Sequence, residues 1–282
     1  MITILQGTLG SGKSATAVAM AFDHLKNGGV VATNFSLVDG WADELARHSF
    51  TGKFFPAIRH KNALSHYSRH FRVDSLHAVK QIDVKGLACR QLETVAGKYQ
   101  EGQGLLILDE CQLIFNSRKW QDNMQWIEFF TQSRKLGWHV LLIAHTIEMV
   151  DSQIRPLIEY EARFRNLQKL RIPIIGLPLS PFPAFLIVYR YAGLGPGASN
   201  VVKKDVAPLP MWAARLYDSL HVFSKDGWGG KTEPVKCGKP PEPPGGDGGT
   251  DLVSIPDRIS YSTLAPDCMW SKWDQLNMQT GS

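Results

Sequence analysis

The segment that most constrains the fold of this chain is GTLGSGKS, residues 7–14, which follows the apolar run MITIL and Gln6. The apolar run predicts a short buried strand, and the pattern SATAVAMAFDHLK after the glycines predicts a helix. Glycines let a backbone wrap closely around a bound group, and the free N–H groups at a helix N-terminus attract phosphate oxygens. The pattern G-x-x-x-x-G-K-[ST] between the two elements therefore predicts a phosphate-binding P-loop.

The predicted nucleotide-binding residues form one continuous stretch of this loop. We expect Lys13 to contact the β- and γ-phosphates and to act in catalysis, and the hydroxyl of Ser14 to bind Mg²⁺. ATP and Mg²⁺ are thus the predicted ligands. A glycine-rich turn whose lysine only faces solvent is the alternative. The nucleotide-binding set comprises Gly7, Thr8, Leu9, Gly10, Ser11, Gly12, Lys13, Ser14 and Ala15.

A second predicted part of the site follows a buried strand much later in the chain. In GLLILDE, residues 104–110, consecutive apolar residues lead into two acids. Ligands of open α/β sheets bind at the carboxyl ends of strands. We therefore expect Asp109 to bind Mg²⁺ and Glu110 to accept a proton from the attacking water, with the glycine loop on a neighbouring strand. Two solvent-facing turn residues are the alternative.

Two further residues are candidates for catalysis. His145 ends the next predicted strand, LLIAH, and resembles the polar sensor residue of many P-loop ATPases; a structural histidine is the alternative. Phosphoryl transfer spreads negative charge over the γ-phosphate oxygens, which an arginine from a neighbouring subunit can stabilise. We favour Arg155 over Arg118 and Arg134 for this role, and a surface salt bridge is the alternative for each. The arginine hypothesis predicts a homo-oligomer, such as a ring, with nucleotide near the subunit boundaries.

The order of the elements predicts one large domain and a tail. Strands that alternate with helices indicate an α/β fold, a P-loop NTPase with a mostly parallel sheet flanked by helices. We assign residues 1–225 to this ATPase domain. Residues 226–282 begin with a segment rich in glycine and proline, DGWGGKTEPVKCGKPPEPPGGDGGT, which predicts a linker or arm followed by a tail.

The segment between the two acids and the histidine strand predicts a further helix, in DNMQWIEFFTQSRK. We expect Asp122 to be its N-cap. The spacing of Trp126, Phe129 and Phe130 predicts an apolar stripe that faces the core, rather than a surface for stacking bases. A short helical stretch, EMVDSQIRPLIE, then precedes the predicted strands YEARFRN and FLIVYRY.

Composition and charge limit the alternatives. The net charge is +5, but basic residues are scattered among acidic ones, so charge alone leaves direct nucleic-acid binding open. The four cysteines form no CxxC pair, which argues against a zinc site or a disulfide framework and favours a reducing, cytoplasmic setting. Four prolines interrupt the most apolar later window, residues 172–189. We therefore expect no transmembrane helix, and the first residues predict no secretion signal.

The segments LLILDECQLIFNSRKW and FFTQSRKLGWHVLLIAHTIEMVDSQIR resemble the zonula occludens toxin (Zot) family, which includes the gene I assembly proteins of filamentous bacteriophages. The resemblance covers about residues 1–166. It implies an ATPase at the cytoplasmic face of the host bacterial inner membrane that powers assembly and extrusion of phage particles. The implied partners are coat protein, packaged single-stranded DNA and a secretin-type channel. The matching residues are Asp109, Glu110, Cys111, Phe115, Asn116, Arg118, Arg134, Lys135, Gly137, Trp138, Asp151, Gln153 and Arg155.

One departure from the family pattern leaves rival functions open. Family members usually carry a membrane helix after the ATPase domain, whereas this chain has KPPEPPGGDGGT there. Either the chain is shortened or another subunit supplies the membrane attachment of the complex. The rivals are a DNA-translocating or packaging ATPase, a small-molecule kinase, for which no arginine-rich lid is recognisable, and a host-interaction protein in which nucleotide is only structural.

Overall fold

The sheet is built from apolar runs that are buried on both faces. In the strand GLLIL, Leu105 and Ile107 join one apolar cluster, and Leu106 and Leu108 join another. Side chains of a strand alternate between the two faces of a sheet, so a strand that is apolar throughout needs a cover on each face. The sheet therefore lies between two layers of helices. The structure, a computed structural model, describes residues 1–88, 102–115, 120–169, 184–192, 200–217 and 233–242.

The predicted α/β class with a mostly parallel sheet is confirmed. The strands in the described residues are β1 (Ile2–Gln6), β2 (Val30–Thr33), β3 (His70–Arg72), β4 (Gly104–Leu108), β5 (Trp138–Ala144), β6 (Tyr160–Asn166), β7 (Ala184–Tyr191) and β8 (Val201–Pro208). Their spatial order is β3-β2-β4-β5-β1-β6-β7-β8. Strands β1 to β6 pair in parallel, whereas β7 and β8 extend the sheet by antiparallel pairing.

Local sequence explains where two of the helices begin. Pro56 occupies the first turn of its helix, and Ser75 Oγ accepts a hydrogen bond of 3.1 Å from Ala78 N as an N-cap. The helices are α1 (Lys13–Lys26), α2 (Trp41–Arg47), α3 (Phe50–Phe54), α4 (Pro56–Arg69), α5 (Leu76–Gln81), α6 (Val84–Leu87), α7 (Cys111–Ile114), α8 (Trp120–Gln132) and α9 (Met211–Ala214). Within the described ranges, none of them has the length and apolarity needed to cross a bilayer.

Two helix predictions differ from the structure. Helix α8 begins at Trp120, so Asp122 lies in its first turn and is not its N-cap. Aspartate is favoured both at the cap and in the first turn, so the residue type locates the start only to within about two positions. The stretch EMVDSQIRPLIE forms two 3₁₀ turns rather than one helix. Val150 is extended between them, and the Asp151 side chain accepts a hydrogen bond from Gln153 N at 2.8 Å.

The predicted aromatic stripe on α8 is confirmed. Trp126, Phe129 and Phe130 are buried. The ring of Phe115 packs edge-on against Trp126 and Phe130, with centroids 5.4 Å and 5.5 Å apart. Such aromatic pairs contribute about 0.5–1.5 kcal/mol each beyond their burial. The stripe therefore fixes α8 and the segment after β4 to one face of the sheet.

The strand order places three strand ends at one edge of the sheet. Because β1, β4 and β5 are parallel, Gln6, Leu108 and Ala144 end at the same edge. The sequence predicted that the glycine loop and the acids follow neighbouring strands. In the structure β5 lies between β1 and β4, so they follow strands that are not adjacent. Periodicity identifies strands but does not encode their lateral order. The loop that begins with His145 consequently lies between the two predicted site segments.

Part of the predicted linker packs on the body of the protein. Cys237 is buried, and Trp41 Nε1 donates a hydrogen bond of 3.1 Å to its carbonyl oxygen. Val235 pairs with the backbone of Arg72. Residues 233–242, which the sequence assigns to the linker, thus contact the domain assigned to residues 1–225. A segment rich in glycine and proline builds no core of its own, but single apolar residues in it still pack on a neighbour.

Candidate active site

Three glycines give the loop after β1 a path that other residues cannot follow. Gly10 and Gly12 have φ angles of +69° and +85°, in the left-handed region that favours glycine. A Cβ on Gly12 would lie 2.7 Å from the ring of Phe185, and one on Gly7 would lie 2.7 Å from the carbonyl oxygen of Phe164. The wrap of the loop therefore depends on glycine at these positions.

The N-terminus of α1 and a buried hydroxyl face this loop without partners of their own. Gly12 is the N-cap and has no side chain to accept hydrogen bonds from the first-turn amides, which include those of Ser14 and Ala15. Among the described residues, buried Ser11 Oγ has no hydrogen-bond partner. An anionic ligand would satisfy both features. The loop residues thus fit a nucleotide phosphate.

Two side chains, one at the end of β6 and one in the 3₁₀ turn that follows it, hold the tip of the loop. Asn166 Nδ2 donates to the carbonyl oxygen of Gly10 at 3.2 Å. Lys169 Nζ donates to the carbonyl oxygen of Leu9, also at 3.2 Å. The Leu9 side chain itself is exposed. The conformation of the loop therefore depends on β6, the neighbour of β1 in the sheet, as well as on the loop's own residues.

Lys13 is buried within the loop. Its Nζ donates hydrogen bonds to the carbonyl oxygens of Gly7 at 2.7 Å and Thr8 at 3.1 Å. Burial lowers the pKa of Lys13, and the negative charges of Asp109 and Glu110 oppose this shift. The ammonium group is therefore close enough to both acids to be influenced by their charge.

Two donors bind the buried carboxylate of Asp109, and the Ser14 side chain lies close to it. Tyr217 Oη donates to Oδ2 at 3.0 Å, and the backbone N–H of Glu110 donates to Oδ1 at 2.9 Å. Burial raises the pKa of Asp109. The nearby Ser14 hydroxyl and the two donors oppose this shift because they stabilise the charged form.

The structure thus brings the two predicted metal ligands, Ser14 and Asp109, into contact. Hydroxyl and carboxylate oxygens are donors of the kind that Mg²⁺ prefers. The site fits this metal, which Ser14 and Asp109 would hold beside the loop.

One supporting residue, Asn34, was not singled out in the sequence. It follows β2, and its side-chain amide forms two hydrogen bonds with the backbone of Asp109. Nδ2 donates to the carbonyl oxygen at 2.8 Å, and Oδ1 accepts from the N–H at 2.7 Å. Asn34 is a polar residue at the carboxyl end of a buried strand, so the rule that identified Asp109 would have found it. Tyr217 was also missed, and no local pattern points to it.

Glu110 combines an unusual backbone with an accessible carboxylate. Among the described residues it is the only non-glycine residue with positive φ, +49°. Such conformations cluster at functional sites. Its carboxylate accepts a hydrogen bond from Gln112 Nε2 and lies 3.6 Å from His145 Nε2. The side chains of Glu110 and His145 are 32% and 30% exposed, so water reaches both.

The structure does not bring Arg155 to this cluster. Arg155 Nε donates to the carbonyl oxygen of Val150 at 2.8 Å, and Nη2 donates to that of Glu148 at 2.5 Å. Arg134 lies between α8 and the start of β5, at the opposite edge of the sheet from the acids. Arg118 lies outside the described residues. The predicted role of an arginine requires a neighbouring subunit, so it stays a prediction.

A cleft of about 940 Å³ opens beside the loop, on the side of β6. Such a volume suits a small ligand. Thr8, Leu9 and His145 line the cleft on the side of the loop. The cations that line it are Arg163, Arg165 and Lys169. The two acids after β4 do not line this cleft, so it extends the site away from the metal ligands.

Sequence comparison finds relatives that cover most of this chain. A family model described as "Zonular occludens toxin (Zot)" matches residues 1–180. The proteins named "Gene 1 protein" of Enterobacteria phage I2-2 and Salmonella phage IKe are each 30% identical to this chain over 240 residues. That alignment covers 80% of this chain and 58% of each relative. The chain therefore spans little more than half the length of these curated relatives.

Solved structures show a distant similarity in fold. The N-terminal domain of zonular occludens toxin from Neisseria meningitidis aligns with 77% of this chain and 98% of that domain, with 14% identity and a TM-score of 0.41. B204, the DNA-packaging ATPase from Sulfolobus Turreted Icosahedral Virus, aligns with 73% of this chain and 95% of B204, with 16% identity and a TM-score of 0.39.

We expect Gly12→Ala to weaken ATP binding by about tenfold or more. The new Cβ would collide with the ring of Phe185 and force the loop to move, which costs about 1–3 kcal/mol. Equilibrium titration with a fluorescent ATP analogue measures the change. Gly40→Ala is a matched control: Gly40 has φ +79°, and a Cβ there meets no atom within 4 Å. It adds backbone strain without a collision and should leave ATP affinity unchanged. Wild-type ATP affinity in Gly12→Ala would contradict the phosphate-binding loop.

Proposed function

The chain belongs to the Zonular occludens toxin (Zot) family, and on this premise we propose that it is an Mg²⁺-dependent ATPase that powers the assembly and extrusion of filamentous phage particles. The observation that carries the enzymatic part is that the glycine loop and the acids after β4 lie together: Ser14 is close to Asp109, and His145 contacts both Gly7 and Glu110. The residues suited to phosphate, metal and water thus form one site, which a glycine-rich turn alone would not need.

Nucleotide binding is assigned to the loop. Backbone N–H groups of the loop after Gly7 and of the first turn of α1, with the ammonium group of Lys13, provide the positive charge for the β- and γ-phosphates. To contact phosphate, Lys13 must exchange its hydrogen bonds to Gly7 and Thr8 for phosphate oxygens. Ser14 and Asp109 would hold Mg²⁺, which when bound neutralises charge on the phosphates.

Hydrolysis is assigned to the pair Glu110 and His145. The Glu110 carboxylate would accept a proton from water as the water oxygen attacks the γ-phosphorus. Gln112 and His145 contact this carboxylate and restrict its orientation. The carbonyl oxygen of His145 also accepts a hydrogen bond from Gly7 N at 3.1 Å, so this residue connects the loop with the end of β5. That connection supports a sensor role for His145.

We further propose a homo-oligomer in which Arg155 of one subunit stabilises the γ-phosphate bound by the next. A guanidinium group has five N–H donors. The described hydrogen bonds to Val150 and Glu148 use two of them, Nε and one on Nη2. The others are available to a ligand on a neighbouring subunit. The bonds within the chain would then hold the guanidinium in a fixed orientation at the subunit surface.

The phage part of the proposal is supported by the relatives. They are gene 1 proteins of phages, and this chain covers 58% of their length. We place the protein at the cytoplasmic face of the host inner membrane, with coat protein, the packaged single-stranded DNA complex and a secretin-type channel as partners. Extrusion of a particle requires work, and cycles of ATP binding and hydrolysis would supply it.

We expect Lys13→Ala to abolish ATP binding. Glu110→Gln should bind ATP but lower the rate of hydrolysis by about 100-fold or more, because a general base typically contributes 10²–10⁴-fold. Equilibrium binding and phosphate release measure the two effects. Lys80→Ala and Glu128→Gln change exposed residues of the same types on α5 and α8, and they should behave as wild type. Hydrolysis by Glu110→Gln at the wild-type rate would rule out its role as the base.

In phage-producing cells, we expect Glu110→Gln to stop particle release while coat protein and single-stranded DNA accumulate inside the cell. Expressed beside the wild-type protein, the variant should also reduce release, because mixed oligomers contain inactive subunits. Particle counts in the medium and viral DNA inside the cells measure the effect. Normal release from Glu110→Gln phage would contradict the motor function but not the ATPase assignment.

We expect Arg155→Ala to lower kcat by about 10³-fold or more, the effect of removing a trans-acting arginine, with unchanged ATP affinity and oligomer mass. Mixing this variant with Lys13→Ala should restore part of the phosphate release. In mixed oligomers, one variant supplies an intact loop and the other an intact arginine. Mixtures that form oligomers but gain no activity would show that Arg155 does not act between subunits.

A further inference from the structure

Tyr217 contacts both residues that are assigned to the metal. Its hydroxyl donates a hydrogen bond to Asp109 Oδ2 at 3.0 Å, and the Ser14 side chain lies beside the same hydroxyl. Tyr217 lies 108 residues after Asp109 in the chain, and the P-loop pattern predicts no tyrosine at this place. The contact is therefore a feature of this site that the sequence motifs do not include.

The ring of Tyr217 is held in place independently of its hydroxyl. It packs edge-on against Phe35, with ring centroids 4.9 Å apart at an angle of 83°. Phe35 is fully buried and directly follows Asn34, which binds the backbone of Asp109. The backbone of Tyr217 also pairs with Leu37. Loss of the hydroxyl alone should therefore leave the ring where it is.

The segment that leads to Tyr217 is anchored on α1, the helix that begins at the glycine loop. Trp212 in α9 stacks on Phe22, with ring centroids 5.6 Å apart. Lys26 Nζ lies 4.8 Å from the centroid of the Trp212 ring, and Ala213 is fully buried. The packing thus fixes the tyrosine relative to the loop helix and indicates a built contact rather than a chance approach of a surface side chain.

The hydroxyl restrains one oxygen of the Asp109 carboxylate. Oδ1 is restrained by the backbone N–H of Glu110, and Oδ2 accepts from Tyr217. Each carboxylate oxygen has two lone-pair sites, so a donor on one of them leaves the other for a cation or its bound water. If the Ser14 oxygen binds a metal, Tyr217 is the side-chain donor that continues to orient Asp109.

We propose that Tyr217 is a positioning residue of the metal site: its hydroxyl holds the Asp109 carboxylate in the orientation that binds Mg²⁺ together with the substrate phosphates. This role rests on the proposed ATPase function. It makes the affinity for the metal depend on a residue outside both the glycine loop and the acidic pair.

Tyr217→Phe removes only the hydroxyl and tests this role by its effect on metal affinity. Binding of a fluorescent ATP analogue is titrated first with EDTA and then over a range of Mg²⁺ concentrations. We expect affinity in EDTA to stay within about twofold of wild type, because the loop is intact. The gain in affinity from Mg²⁺ should fall by about tenfold, as for the loss of a hydrogen bond to a charged group. The Mg²⁺ concentration for half-maximal hydrolysis should rise by the same factor, with kcat at saturating Mg²⁺ changed much less.

Tyr67→Phe is the matched control. Its hydroxyl donates to the carbonyl oxygen of Gly238 at 3.2 Å, an exposed contact outside the site, so its loss should not alter the Mg²⁺ response. Asp109→Asn serves as the reference for loss of the metal ligand and should remove most of the gain from Mg²⁺. Thermal unfolding of each variant reports any general effect on stability.

The outcomes separate this inference from the proposed function. A wild-type Mg²⁺ response in Tyr217→Phe would overturn the positioning role, while Mg²⁺-dependent binding by the wild-type chain would still support the ATPase site. An equal loss of affinity in EDTA and in Mg²⁺ would also overturn it, because that result indicates a general effect on the fold. No gain from Mg²⁺ in the wild-type chain would overturn the proposed metal site itself.

Discussion

The buried carboxylate of Asp109 is the group on which the rest of the site depends, because it lies where parts of the chain that are distant in sequence meet. A buried carboxylate is costly unless donors satisfy it. Here the hydroxyl of Tyr217 and the backbone N–H of Glu110 donate to it, and the Ser14 hydroxyl of α1 lies close by. These groups oppose the effect of burial on the pKa of Asp109 and favour the ionised form that a cation requires. The stability of this part of the fold and its capacity to hold a metal thus depend on the same groups.

Strands β6 and β7 also support the glycine loop. The ring of Phe185 in β7 fills the space that a side chain at Gly12 would need, and the backbone of Phe164 in β6 does the same at Gly7. Asn166, at the end of β6, binds the carbonyl oxygen of Gly10. The loop therefore takes its shape both from its own glycines and from strands that follow it by more than 150 residues.

Sequence patterns predicted the elements that depend on neighbours along the chain. The strand, loop and helix around residues 7–14, the acids after β4 and the buried stripe on α8 follow from periodicity and glycine placement. Features that depend on tertiary packing were not predicted: β5 lies between β1 and β4, and Tyr217 returns to the site after β8. Asn34 is an intermediate case, because its place after a buried strand was visible but its hydrogen bonds to Asp109 were not.

The central claim is that the glycine loop and the acids after β4 bind one Mg²⁺-nucleoside triphosphate. The most direct measurement is an experimental structure of the chain with Mg²⁺ and a non-hydrolysable ATP analogue. The account predicts β- and γ-phosphates at backbone N–H groups within residues 8–15, and a single Mg²⁺ that contacts Ser14 and reaches Asp109 directly or through a bound water. A nucleotide bound elsewhere, or a metal that contacts neither residue, would contradict it.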